Sequence, residues 1–387
     1  MNKASKARGM RFTHLKLSNW RNFAAVDVAL PQRVFLVGPN ACGKSNLLDA
    51  FRFVRDLASV GGGFQWAVAK RDGVSRLRSL AARSYSDISV RASIGDDDGV
   101  AAWEYELTFN QDKQRRTFIK SEKVRKQGEL ILDRPDAEDN RDAERLTQTY
   151  LEQVHANEPV REVAEFFRTV RYLHVVPQLI REPDRFLDKT DDPYGGDFLE
   201  RVALTTPKTR DARLRRIGRA LAFAVPQLSE IELHRDARGT PHLRGRCVHW
   251  RPQGAWQAEK DFSDGTLRLM GLLWALQEGT GPLLLEEPEL SLHPEVVRHI
   301  PQLFARVQRH QGRQVLVSTH SSDMLQDQGL GLDEVLLLLP EKEGTSVNPA
   351  RSFAEVETLL REGCSLADAV IPTTAPKDAW QLTLFDK

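Results

Sequence analysis

The sequence predicts an α/β chain: a mixed or parallel sheet with flanking helices, plus an antiparallel β subdomain and a helical insertion. Three observations predict it. Continuous apolar runs such as Val34-Phe35-Leu36-Val37 and Leu283-Leu284-Leu285 read as strands covered on both faces. Beyond Phe262 such runs alternate with helical periods, the pattern of a buried parallel sheet. Residues 87–133 instead alternate apolar and polar with period two, as half-buried antiparallel strands do.

In chain order, 11–37 reads as strand, broken by the polar-aromatic turn Asn19-Trp20-Arg21-Asn22-Phe23. A helix starts after Ser45, and Gly61-Gly62-Gly63 breaks it. Three strands follow at 88–94, 103–109 and 117–119. The charged segment 136–169 is expected to be helical, with Leu146, Tyr150, Leu151 and Val154 at helical spacing. A loop-rich stretch, 177–207, leads to a basic helix at 213–224, then to strands at 230–234 and 247–250. The C-terminal part is expected to run helix 265–276, strand 282–285, helix 294–309, strand 314–317 and strand 335–339. The N-terminal apolar strand would share their sheet, giving a discontinuous domain: 1–54 and 226–370 its two parts, 55–225 the insertion and 371–387 a tail.

The composition of the 387 residues, 41% hydrophobic and 28% charged, is that of a globular protein, and a net charge of +1 argues against a generally polyanion-coated surface. Three cysteines without C-x-x-C spacing argue against a disulfide framework or a zinc site. The basic N-terminus leads into an alternating strand, and no window reaches membrane-span length, so the expected location is cytoplasmic, away from membranes.

The chemistry begins at Gly38-Pro39-Asn40-Ala41-Cys42-Gly43-Lys44-Ser45, which fits G-x-x-x-x-G-K-[ST] between a strand and a helix that opens at Asn46. Glycines let backbone N–H groups close around phosphates, and the helix N-terminus adds its dipole. Lys44 reaches the β- and γ-phosphates, and the Ser45 hydroxyl is a ligand for Mg²⁺. Downstream, the strand 283–285 ends in two carboxylates, Glu286 and Glu287. The first suits Mg²⁺, the second the orientation or deprotonation of an attacking water. Ser263-Asp264-Gly265 at a helix start makes a second anion site. His320 lies at the C-terminal edge of a strand, where ligands of open α/β sheets bind.

This order of motifs resembles the ATP-binding-cassette (ABC) superfamily, and within it the RecF, SMC and OLD-like ATPases. The matching stretches are GPNACGKSNLLDAF (Walker A), FSDGTLRLMGLLWAL (signature), LLLEEPELSLHP (Walker B and D-loop) and VLVSTHSSDML (switch). The resemblance implies an ABC-type P-loop core and a head-to-tail homodimer with ATP sandwiched between one subunit's Walker A and the other's signature. It implies that Ser263 and Gly265 contact the γ-phosphate, that Ser291-Leu292-His293 is the D-loop, that Glu287 is the catalytic base and that His320 senses the γ-phosphate. Gln178 is the candidate Q-loop ligand of Mg²⁺, the alternative being an ordinary loop amide. Glu286 stands where the family places Asp. Ala41 and Cys42 replace a glycine and a serine of the family's loop, and both are small enough for the turn.

Several features have plainer readings beside the functional ones. The basic clusters Lys113–Lys126 and Arg210–Arg219 suit DNA phosphates or a solvated face. His234, His242 and His249 are read as strand positions, and Asp188–Asp192 as a loop in preference to a nuclease metal site. The tail carries Gln381, Leu382, Leu384 and Phe385, a pentapeptide that resembles the bacterial sliding-clamp-binding motif; its own domain or another partner would equally supply a groove.

The expectation is therefore an ATPase needing ATP and Mg²⁺, a nucleotide-gated dimer in antiviral defence or DNA metabolism. No Toprim nuclease domain follows the switch, so the effector is expected to be a separate protein. The alternative is a RecF-like DNA repair factor that clamps DNA without an effector. A transporter-associated cassette is the weakest fit.

Overall fold

The computed structural model describes residues 9–82, 85–96, 101–182, 192–248, 255–375 and 381. The strands are β1 (Arg11–Trp20), β2 (Phe23–Ala29), β3 (Arg33–Val37), β4 (Ile88–Gly95), β5 (Ala101–Gln111), β6 (Thr117–Lys126), β7 (Glu129–Arg134), β8 (Arg171–Leu173), β9 (Leu228–Arg235), β10 (Pro241–Cys247), β11 (Ala255–Ala258), β12 (Leu283–Glu286), β13 (Val315–Thr319), β14 (Val335–Glu341) and β15 (Gly344–Pro349). The helices are α1 (Lys44–Ala58), α2 (Phe64–Ala69), α3 (Val74–Leu77), α4 (Arg161–Arg168), α5 (Pro177–Arg181), α6 (Phe198–Leu204), α7 (Pro207–Ala224), α8 (Asp264–Gln277), α9 (Pro294–Arg298), α10 (Ile300–Gln311), α11 (Ala354–Arg361) and α12 (Leu366–Thr374). The chain divides into two compact units, one of residues 1–171, 280–284 and 308–387, the other of 172–279 and 285–307.

The first unit holds an antiparallel sheet of order β2-β1-β4-β5-β6-β7. It also holds a sheet in which β15, β14, β3, β13 and the start of β12 are successive neighbours. In the second sheet β3 lies parallel between β13 and β14, pairing Val34 with Leu316 and Leu36 with both Ser318 and Leu336. Val34, Phe35 and Leu36 are fully buried, as a strand covered on both faces must be. The expected sharing of one sheet by the two ends of the chain is thus observed. Helix α1 follows β3 and packs aromatic rings onto the antiparallel sheet: Phe51 meets Phe12 at 4.8 Å between ring centres, and Phe53 meets Trp20 at 5.2 Å and Phe109 at 5.5 Å.

The second unit holds the antiparallel sheet β11-β10-β9, helices α5 to α9 and the end of β12, which passes from Leu284 of the first unit to Leu285 of the second. Long helices α7 and α8 belong to this unit, and Arg213 of α7 lies over the Trp274 ring of α8 at 5.3 Å.

Three expectations are corrected. The segment 136–169 is mostly turns and two short 3-10 pieces, with α4 only at its end. Its carbonyls are drawn inward: Arg134, fully buried, donates to Gln148 O and Arg145 O, to Glu122 Oε2 at 2.9 Å and to both oxygens of Asp139. A helix would have spent those carbonyls on its own N–H groups. The strand expected at 247–250 is β10, which ends at Cys247; His249 and Trp250 lie outside the described residues. The helix expected at 294–309 is two helices, because Pro301 has no N–H to donate and disfavours helical backbone at the residue before it.

Candidate functional site

In the first unit, the loop Gly38–Gly43 leaves the end of β3 and turns into α1. Ala41 (φ 63°) and Gly43 (φ 100°) take left-handed backbone. A Cβ at Gly43 would lie 2.2 Å from Asn22 Nδ2, so glycine is demanded there by both conformation and space. Asn22 is the brace behind the loop: its Nδ2 donates to Cys42 O at 2.7 Å and to Thr345 Oγ1 at 2.9 Å, and its Oδ1 accepts from Asn46 Nδ2 at 2.8 Å. Trp20 Nε1 donates to Asn46 O at 2.9 Å. No side chain caps α1, whose residue before the helix is Gly43, so its opening N–H groups are not taken up by a capping side chain. Lys44 is buried; its Nζ donates to Gly38 O at 3.1 Å and Pro39 O at 3.2 Å and meets His320 Nε2 at 2.6 Å. The predicted loop and the predicted switch histidine therefore come together. Burial pushes the Cys42 thiol up, against the pull of Lys44.

Farther along α1, Asp49 receives Arg71 in a two-pronged contact at 2.9 Å and Arg21 at 3.0 Å. Burial alone would push its carboxyl up; the guanidinium of Arg71 outweighs that and holds it below the usual carboxylate range. These pairs anchor the helix that carries Lys44 and Ser45.

In the second unit, Ser263 begins α8 with its Oγ accepting from Thr266 N at 3.2 Å. Gly265 has no room for a Cβ, which would meet Ser291 O at 2.4 Å, so the predicted signature and D-loop residues touch. Ser291 (φ 61°) and Glu287 (φ 44°) are non-glycine residues in left-handed backbone, a conformation that concentrates at functional sites. Glu286, at the end of β12, accepts a hydrogen bond at Oε2 from the Tyr172 hydroxyl, and His174 Nδ1 lies 3.3 Å from Glu286 O. Arg268, one turn into α8, lines a cleft together with Glu286, Leu173 and Val175. Gln178 is exposed on α5, and its amide reaches Asp264 Oδ2 at 3.5 Å, beside the Arg181–Asp264 ion pair at 2.6 Å.

The donor set suits a nucleotide with Mg²⁺. The loop has an uncapped helix start and a lysine resting on the loop's own carbonyls, which suits phosphates; the Ser45 hydroxyl in the first unit and the Glu286 carboxylate in the second are each oxygen donors of the hard kind this cation takes. Among the described residues no cluster of three His, Cys, Asp or Glu forms a separate metal site. Asn22 behind the loop of the first unit, and Tyr172 and Arg268 near Glu286 in the second, are neighbours of the candidate residues that the sequence did not disclose, since each lies outside any motif or takes its meaning only from a partner brought by folding.

The basic stretch Lys113–Lys126 is largely neutralised: Arg116 pairs with Asp112, Lys120 with Asp87, Lys123 with Asp133 and Arg125 with Glu104. On α7, Arg215, Arg216 and Arg219 are exposed with no acidic partner among the described residues. His242 bonds Glu259 at 2.7 Å at the start of β10, a structural pairing. Of the tail, Gln381 is described and exposed, whereas Leu382, Leu384 and Phe385 lie outside the described residues, as do Asp188 to Asp191. No helix of the described residues is long and apolar enough to cross a membrane.

Among known proteins, the chain is 32% identical over 124 residues to the DNA replication and repair protein RecF of Acaryochloris marina, covering 32% of this chain and 29% of that protein. It is 51% identical over 47 residues to the chromosome partition protein Smc of Delftia acidovorans, covering 12% of this chain and 4% of that protein. The chain thus spans well under two-thirds of the length of these relatives. A crystal structure of the Smc head bound to the C-terminal winged-helix domain of ScpA has the same fold, with a TM-score of 0.54 at 15% identity over 87% of this chain and 97% of that one. Residues 33–325, most of the chain and all four motif stretches, match the family described as "AAA domain, putative AbiEii toxin, Type IV TA system". The chain belongs to that family, and its fold and motifs are those of an ABC/RecF/SMC-like ATPase.

Proposed function

We propose that the protein binds ATP with Mg²⁺ on Gly38–Ser45 and hydrolyses it as a nucleotide-gated homodimer controlling a separate effector in antiviral defence or DNA metabolism. The observation that carries the reading is the Lys44 ammonium held at 2.6 Å from His320 Nε2, over an uncapped helix start. Lys44 Nζ thus sits on two loop carbonyls and against a histidine at the mouth of a phosphate-type loop, where phosphates would give it charged acceptors.

In this reading Lys44 binds the β- and γ-phosphates, and the N–H groups at the start of α1 orient them. His320, released by Lys44, contacts the γ-phosphate. Ser45 and Glu286 hold the cation, with Gln178 a further candidate ligand. Mg²⁺, when bound, neutralises charge on the bridging and terminal phosphates. Glu287 accepts the proton of the attacking water. Ser263, Gly265 and Ser291 meet the nucleotide of a second copy, consistent with Ser263 standing exposed at a helix start. Lys44→Ala tests the reading: ATP affinity, measured by titration calorimetry, is expected to fall on the order of 10- to 100-fold, as for loss of charged hydrogen bonds. Unchanged affinity would sink it.

A second reading, a RecF-like clamp on DNA, is favoured by the unpaired arginines of α7 and no longer by Lys113–Lys126. Under it, charge reversal at Arg215 and Arg216 lowers the slope of log binding constant against log salt by about 2. An unchanged slope removes α7 from that reading and leaves the effector model.

A further inference from the structure

We propose that Tyr172 is the positioning residue for Glu286, holding this carboxylate ready for Mg²⁺ and away from Arg268. The inference rests on the ATPase reading above and adds to it a residue outside every motif.

Tyr172 is 9% exposed on β8, and β8 and β12 are neighbours in the sheet. The side chain is buried, and its phenol O–H donates to Glu286 Oε2. Just past the end of β8, His174 Nδ1 lies 3.3 Å from the Glu286 main-chain oxygen, so the same short stretch of chain meets both the side chain and the backbone of that residue.

The chemistry explains why a tether is useful at this position. A glutamate has one more rotatable bond than an aspartate, so confining its carboxylate to one place gives up more rotamer freedom. Arg268 lines the same cleft as Glu286. Its Nε is buried without a hydrogen-bond partner, and burial holds its guanidinium below its usual value. A carboxylate engaged by an arginine is a poor ligand for a metal ion, and the acids that act on Arg268 are Asp264, Glu287 and Glu289. The hydrogen bond from Tyr172 keeps Glu286 out of that set. A carboxylate has about four lone-pair positions, so accepting from Tyr172 does not exhaust it.

The test uses the full chain and Mn²⁺ as a paramagnetic stand-in for Mg²⁺. Mn²⁺ affinity is measured by electron paramagnetic resonance with ATP bound, and ATP affinity is measured separately in EDTA. Tyr172→Phe is expected to weaken Mn²⁺ binding about 10-fold, the lower end for loss of a hydrogen bond orienting a ligand, while ATP affinity in EDTA stays within about 2-fold. Glu286→Asp, whose shorter acid needs no tether, is expected to make the Tyr172→Phe change nearly silent. Wild-type Mn²⁺ affinity in Tyr172→Phe overturns the proposal. So does an equal loss of ATP affinity in EDTA, which marks a structural role, or an undiminished Tyr172→Phe effect in the Glu286→Asp background. If the wild type itself binds no Mn²⁺ with ATP, the nucleotide reading fails first and this assignment falls with it.

Discussion

Glu287→Gln is expected to lower the rate of ATP hydrolysis by about 10²- to 10⁴-fold, the contribution of a well-placed general base. Glu287 follows directly on β12 and takes left-handed backbone (φ 44°). Glutamine keeps the size and most of the hydrogen-bonding capacity of glutamate and loses only the ability to accept a proton. ATP affinity is therefore expected to stay within about 3-fold, since the phosphate contacts proposed above belong to Lys44 and the start of α1. Hydrolysis is read as phosphate release under saturating ATP. A variant that hydrolyses at the wild-type rate would remove Glu287 from the reaction.

The second large effect concerns stability. Arg134 is fully buried between Glu122 and Asp139, with N–O distances of 2.9 Å and 2.8 Å. Removing one member of such a cluster leaves uncompensated charge in the interior, so Arg134→Ala is expected to cost about 3–5 kcal/mol, read by urea denaturation. A loss below about 1 kcal/mol would mean that water reaches the cluster. Its two acids respond oppositely to pH. The Arg134 guanidinium holds Asp139 well below the carboxylate range, so its contribution is full above the unfolded value near 3.9 and fades as pH falls. Burial pushes Glu122 up to about 7 against the donors Tyr150 N, Arg134 and Tyr105, so its contribution is full below about 4.3 and fades as pH rises through about 7. Stability set by this cluster is expected to peak at roughly pH 4 and to fall as pH rises from there towards about 7, and Glu122→Gln is expected to flatten that alkaline limb.

Much of this architecture was legible from local pattern. The strand-loop-helix around Lys44, the apolar strand ending at Glu286 and Glu287, and the period-two strands β4 to β6 all announce themselves within a dozen residues, because burial on one or two faces writes itself into composition. What was not legible depends on meetings between distant residues. Asn22 and Cys42 lie 20 positions apart, and Tyr172 and Glu286 lie 114 apart; neither tyrosine nor asparagine carries a signal of such a partner. The segment after β7 misled for the same reason. Its helical spacing was real, but a buried arginine claimed its carbonyls, and tertiary demand overrode local preference.

The claim on which the rest depends is that the P-loop is half of a site completed by Ser263 and Gly265 of a second copy. Light scattering of Glu287→Gln, with and without ATP and Mg²⁺, tests it most directly. The mass is expected to move from one chain to two on adding ATP and to return to one with ADP. A mass that stays at one chain while ATP is demonstrably bound would contradict the account.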